Sequence, residues 1–197
     1  MRIADKFTVV RIIAAPIFFV LYFFPWAGHS AAVSVFVLIP FLAFAEFTDF
    51  LDGYFARKFN QVSDFGKLFD PFADVMLHLT TFFCFVLDGY MLPIIFLLIF
   101  FREMGMNFVR LVAAKKGVAI GARKGGKFKT VLYVVTGFYY LIWESCFRLN
   151  VHVEDCSQVL TIVGFVLSGL CLIASYFSFI DYLVHFKTVL KGESKKN

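Results

Sequence analysis

Apolar residues run along this chain in long stretches, and short polar segments return between them about every twenty residues, close to the length of a bilayer-crossing helix. The pattern predicts six spans, at about 7–25, 31–56, 71–91, 93–114, 128–147 and 158–186. Pro25-Trp26-Ala27-Gly28 punctuates the first gap, and Asp88-Gly89 and Pro93 the third. Pro16, Pro40 and Pro71 fall inside or at the start of spans, which membrane helices tolerate. The expected architecture is all-α and integral to the membrane. It is a six-transmembrane-helix bundle forming a single domain over 1–197, without a linker or a clear internal repeat. Gly137, Gly164, Ser168 and Gly169 are small residues suited to close helix contact within or between subunits.

Composition excludes a soluble core. The chain of 197 residues is 60% hydrophobic and 20% aromatic, with 29 phenylalanines and a mean hydropathy of +0.81. That leaves too little polar surface to cover a water-soluble globule, whose apolar share is about 45–50%.

Lysine and arginine placement orients the bundle. Arg2 and Lys6 precede the first span. Arg57, Lys58 and Lys67 fall in the second connection, and Lys115, Lys116, Arg123, Lys124, Lys127 and Lys129 in the fourth. Lys187, Lys191, Lys195 and Lys196 close the chain. Only Arg148 falls on the opposite side, while Arg11, Arg102 and Arg110 lie inside spans. Both termini are therefore expected in the cytoplasm, in a multi-pass protein of the cell (inner) membrane. The net charge of +5 belongs to that face and suits anionic lipid, with no reason to invoke nucleic acid. Arg2 and Lys6 before an apolar run ending near Gly28-His29-Ser30 have the outline of a cleaved leader, but Arg11 inside the run reads against cleavage. The four cysteines lack metal-ligand spacing. Cys84 and Cys171 read as small hydrophobes. Cys146 and Cys156 flank the external fifth connection and read as unpaired thiols, with a disulfide open to them on an oxidising side.

Against this background the acids stand out. Asp49 and Asp52 share a helix face near the cytoplasmic end of the second span, and Asp70 and Asp74 share another at the start of the third. An acid at membrane depth costs about 2.5–3.5 kcal/mol and persists where it is paired, hydrated or metal-bound. With the two spans as antiparallel neighbours, four carboxylates converge and suit two divalent ions held by oxygen. Gly53, Ala56 and Gly66 remove bulk from the acidic faces, so a large polar ligand can approach the backbone. Arg57 adds a cation suited to phosphate. Helix capping accounts for any one of these aspartates, but it does not require the spacing of all four.

The pattern D-x2-D-G-x2-A-R-x8-G-x3-D-x3-D, complete from Asp49 through Asp74, resembles the signature of the CDP-alcohol phosphotransferases. The resemblance implies an enzyme that joins a CDP-linked donor to an alcohol and releases CMP, with two Mg2+ or Mn2+ ions as cofactors. It implies Asp49, Asp52 and Asp70 as metal ligands, with Asp74 a further ligand or the base that deprotonates the acceptor. Gly53, Ala56, Arg57 and Gly66 would line the CDP group, and the active site would face the cytoplasm. The family commonly forms homodimers.

Other segments bear on the acceptor. Asp5-Lys6-Phe7-Thr8-Val9-Val10-Arg11 with Pro16, Arg102-Glu103 with Arg110, and Gly126-Lys127-Phe128-Lys129-Thr130 resemble the branch of the family that uses CDP-diacylglycerol and sn-glycerol 3-phosphate. Two positions depart from it: Asp5 stands where that branch has Asn, and Val75 where it has Lys. The branch implies Arg110 and Lys127 at the acceptor phosphate, with Thr8, Arg102 and Lys129 around it. The alternative for each basic residue is snorkelling to the cytoplasmic surface. His78 reads as structural, as does Asp181, whereas Glu46 is placed to tune Asp49 or to pair with a base. His29 and Glu154 read as external and solvated. The rival readings are a family member taking inositol phosphate, serine or phosphatidylglycerol, an inactive scaffold, and a membrane cation transporter. A transporter would spread its acids through the bilayer, whereas these gather at one face.

Overall fold

The computed structural model describes the backbone of residues 3–24, 29–58, 64–117, 124–151 and 156–193. Side-chain surroundings are described at 7–24, 31–48, 51, 66, 68–117, 125–151, 156–184 and 186–187. Six helices account for nearly all of it: α1 (Ile3–Phe23), α2 (His29–Lys58), α3 (Asp64–Leu87), α4 (Pro93–Lys115), α5 (Lys124–Arg148) and α6 (Ser157–Glu193). No strand occurs among the described residues. Helices are expected here because in hydrocarbon every backbone N–H and C=O must be satisfied within the segment.

Four helices carry windows long and apolar enough to cross a membrane: Ala31–Thr48, Leu68–Leu87, Gly125–Arg148 and Ser157–Val184. Phe7–Phe23 in α1 is a shorter apolar stretch. The fourth predicted span does form a helix, but Arg102, Glu103 and Arg110 interrupt its apolar run. Pro93 opens α4 at a position where its missing N–H costs nothing. Gly117, at φ +74°, ends it in a left-handed conformation that a side chain would strain.

The helices are arranged around α1 and α3. Thr8, Arg11, Ala15, Phe18 and Tyr22 form a buried stripe on α1, and α1 packs along both α2 and α3. Among the described residues α2 and α3 meet directly at Glu46 and His78, and α1 packs along both, with Ala14 and Ala15 allowing close helix approach. On α3, Ala73, Leu77, Phe82, Cys84 and Phe85 are fully buried. Outward-facing side chains are large and apolar, with Phe36 and Phe177 each 73% exposed, as befits a surface solvated by lipid. All four cysteines carry free thiols.

The end of the bundle far from the acids is tied by a polar knot. Arg148 Nε donates to Glu144 Oε1 at 2.8 Å, Nη1 to Ser34 Oγ at 3.0 Å and Nη2 to the Tyr22 carbonyl at 3.1 Å. Tyr22 donates its hydroxyl to Asp88, and Tyr90 donates to Glu144, each at 2.6 Å. The one basic residue that the charge pattern set on this side thus joins α1, α2 and α5, and two tyrosines link the α3–α4 turn to it. Helices α5 and α6 approach closely at Gly164, where an added Cβ would lie 2.8 Å from the Tyr140 ring. The Tyr140 hydroxyl shares a 2.8 Å hydrogen bond with Ser168 one turn further on. Gly164→Ala is expected to cost about 1–3 kcal/mol by overpacking, read as a lower Tm in detergent.

Candidate active site

Asp70 and Asp74 sit one turn apart on α3, with Gly66 buried a turn before them. Thr8 and Arg11, three residues apart on α1, present matching groups. Thr8 Oγ1 donates to Asp70 Oδ1 at 2.6 Å, and Arg11 Nη1 pairs with Asp74 Oδ1. Arg11 is 1% exposed, whereas the Asp74 side chain is 25% exposed. A buried guanidinium needs a counter-charge, and α3 supplies it without burying the carboxylate completely. Asp49, Asp52, Gly53, Ala56 and Arg57 belong to the last turns of α2, but their side chains lie outside the described residues.

One turn deeper, Glu46 of α2 meets a basic residue: His78 Nε2 of α3 lies 3.2 Å from Glu46 Oε1. The contact lacks the alignment of a hydrogen bond. The His78 ring stands edge-on to Tyr133 of α5, with centroids 5.6 Å apart.

Tyr133 leads to a second cluster, where one carboxylate oxygen gathers three partners. Glu103 Oε1 accepts from Lys129 Nζ at 2.8 Å and from the Tyr133 hydroxyl at 2.9 Å, and forms an ion pair with Arg102 Nη1 at 2.8 Å. Arg102 Nε also donates to the Ser175 carbonyl of α6 at 2.7 Å. Two cations against one anion leave this buried cluster with a net positive charge. Arg110 lies two turns along α4 from Glu103, its guanidinium 5.6 Å from the centre of the Tyr182 ring, and Lys127 is exposed.

The candidate acceptor residues are thus separated in kind. Thr8, Arg102 and Lys129 have intramolecular partners, while Arg110 and Lys127 stand nearer the surface. Sequence reasoning did not find the Glu103–Lys129 pair or Tyr133. A lysine set between Phe128 and apolar Val131-Leu132 signalled a need for a buried anion, and Glu103 was the acid available on a neighbouring helix. The Arg11–Asp74 pairing was also missed, although Thr8-x2-Arg11 and Asp70-x3-Asp74 carry complementary groups at one-turn spacing.

Asp70 and Asp74 offer oxygen donors on a partly exposed face, the donor chemistry that Mg2+ or Mn2+ takes, although no group of three or more metal-binding side chains gathers among the described residues.

A family model described as CDP-alcohol phosphatidyltransferase matches residues 1–179. Among curated proteins, one of Treponema pallidum (strain Nichols) is 36% identical over 97% of this chain and 92% of its own length. One of Mycoplasma genitalium is 31% identical over 99% of this chain and 88% of its own. One of Bacillus subtilis (strain 168) is 29% identical over 75% of this chain and 80% of its own. All three are named CDP-diacylglycerol–glycerol-3-phosphate 3-phosphatidyltransferase.

Proposed function

The chain belongs to the CDP-alcohol phosphatidyltransferase family, and on that premise we propose that it transfers the phosphatidyl group of CDP-diacylglycerol to sn-glycerol 3-phosphate. The products are phosphatidylglycerol phosphate and CMP. One observation carries the reading: Asp70 and Asp74 stand opposite Thr8 and Arg11, in a chain whose relatives along most of its length are named for that reaction.

In this reaction the primary hydroxyl of the acceptor forms a bond to the β-phosphorus of the donor. The bond from that phosphorus to CMP breaks, and the hydroxyl proton passes to Asp74. Arg11 orients the Asp74 carboxylate, and Thr8 fixes Asp70. Two divalent ions held by Asp49, Asp52, Asp70 and Asp74 would supply charge neutralisation on the diphosphate and the departing CMP. Gly53, Ala56 and Gly66 would give the CDP group close access to backbone, and Arg57 would supply a cation for its phosphates. Arg110 and Lys127 bind the acceptor phosphate, with Thr8, Arg102 and Lys129 around it. The net positive charge of the Glu103 cluster supports a phosphorylated acceptor over serine.

The alternation of basic segments supports six crossings, with both termini and the active site on the cytoplasmic side of the cell membrane. The working form is a homodimer in the lipid bilayer, by analogy with the family.

The test is a purified-protein assay in which CDP-diacylglycerol meets labelled glycerol 3-phosphate, inositol phosphate, serine or phosphatidylglycerol. Label from glycerol 3-phosphate should enter the lipid phase with equimolar CMP. Preference for another acceptor would reassign the chain within its family, and cation flux without any transfer would sink the enzymatic reading. Arg110→Ala is expected to raise KM for glycerol 3-phosphate about 10-fold or more, the worth of a charge-assisted hydrogen bond, with a smaller effect on kcat.

A further inference from the structure

The acids of the proposed metal site are divided between two helices. Asp49 and Asp52 belong to α2, and Asp70 and Asp74 to α3. A two-ion site tolerates little error in the spacing of its ligands, so something must set the gap between these helices near the acids.

Glu46 and His78 span that gap. Glu46 precedes Asp49 by three residues on α2, and His78 follows Asp74 by four on α3. Each therefore sits about one turn from its own helix's acids. Their side chains are 16% and 7% exposed and approach to 3.2 Å. Tyr133 of α5 braces His78 from outside the pair, packing edge-on against its ring. No step of the proposed reaction uses Glu46 or His78.

We propose that Glu46 and His78 are positioning residues, a strut that fixes α2 against α3 one turn from the acids and so sets affinity for the divalent ions. The proposal rests on the metal reading given above. It also explains why two costly polar groups are kept a turn deeper in the bundle than the acids.

Mn2+ binding to purified protein in detergent, followed by the electron paramagnetic resonance signal of the free ion, tests the strut without any turnover. Glu46→Gln keeps the shape of the side chain and removes its charge, and His78→Ala removes the other half. Each should weaken Mn2+ binding about 10-fold to 100-fold, the usual effect of losing a group that orients ligands. Glu46→Gln with His78→Ala should bind no more weakly than the worse single variant, because one contact is lost in all three. Helical circular dichroism identifies folded samples, and Glu46→Gln decides the matter if His78→Ala does not fold. A merely structural pair would lower Tm and leave the affinity of the folded fraction at the wild-type value. That result, or losses that add in the double variant, would overturn the strut alone. Wild-type protein that takes up no Mn2+ would overturn the metal reading and the strut together.

Discussion

Asp74→Asn is expected to slow CMP release by about 10²–10⁴-fold at saturating substrates, the range a general base contributes. The amide is nearly isosteric but cannot take the acceptor's proton, and it is a poorer ligand for a hard cation. The substitution also disturbs the fold, because Arg11 is 1% exposed and would lose the carboxylate that it pairs with. Removing one partner of a buried ion pair costs about 3–5 kcal/mol, whereas replacing both with apolar groups is often neutral. Asp74→Asn combined with Arg11→Met therefore separates the two effects. The double variant should recover the Tm of the parent protein and remain as slow as Asp74→Asn. Chelation with EDTA should likewise stop the wild-type enzyme, and Mg2+ or Mn2+ should restart it. Full turnover in Asp74→Asn would show that the proton goes elsewhere.

The helices were legible because hydropathy reports burial in lipid directly. Predicted and observed limits nearly coincide for α4, from Pro93, where a turn and a proline mark the start. They diverge where a helix runs on into polar residues. Helix α3 begins at Asp64 rather than near 71, and α6 continues to Glu193. A hydropathy pattern marks the part of a helix that lipid covers, whereas backbone hydrogen bonding continues past it. In α3 that extension includes Gly66 and Asp70, so both residues are carried on regular helix.

Pairings between helices were much less legible. Nothing local to Arg11 names Asp74, which is 63 positions away, and nothing local to Lys129 names Glu103. A single sequence gives the chemistry of each group but not the partner that the packing brings to it. Lys129 illustrates the consequence. Its basic charge and its motif suggested the acceptor phosphate, yet it is 9% exposed and donates to Glu103. The two statements are compatible only if the cluster acts on an anion through its net charge, with Arg110 and Lys127 making the direct contacts.

That distinction gives Glu103 an outsized role. Its side chain is 2% exposed, and a single oxygen faces Arg102, Lys129 and Tyr133, drawn from α4 and α5, while Arg102 ties the cluster to α6. Glu103→Ala would leave two buried cations facing each other without an anion. The expected loss is about 3–5 kcal/mol, a large share of the 5–15 kcal/mol that holds a typical domain. In detergent this should lower Tm by on the order of 10 °C. Glu103→Leu made together with Arg102→Leu and Lys129→Met removes all three charges and should restore most of that stability. The triple variant should then bind glycerol 3-phosphate more weakly than the parent, because the positive field has gone although Arg110 and Lys127 remain. An unchanged Tm in Glu103→Ala would mean that the three donors do not depend on this carboxylate. A stable triple variant with unchanged KM would leave the acceptor phosphate to Arg110 and Lys127 alone.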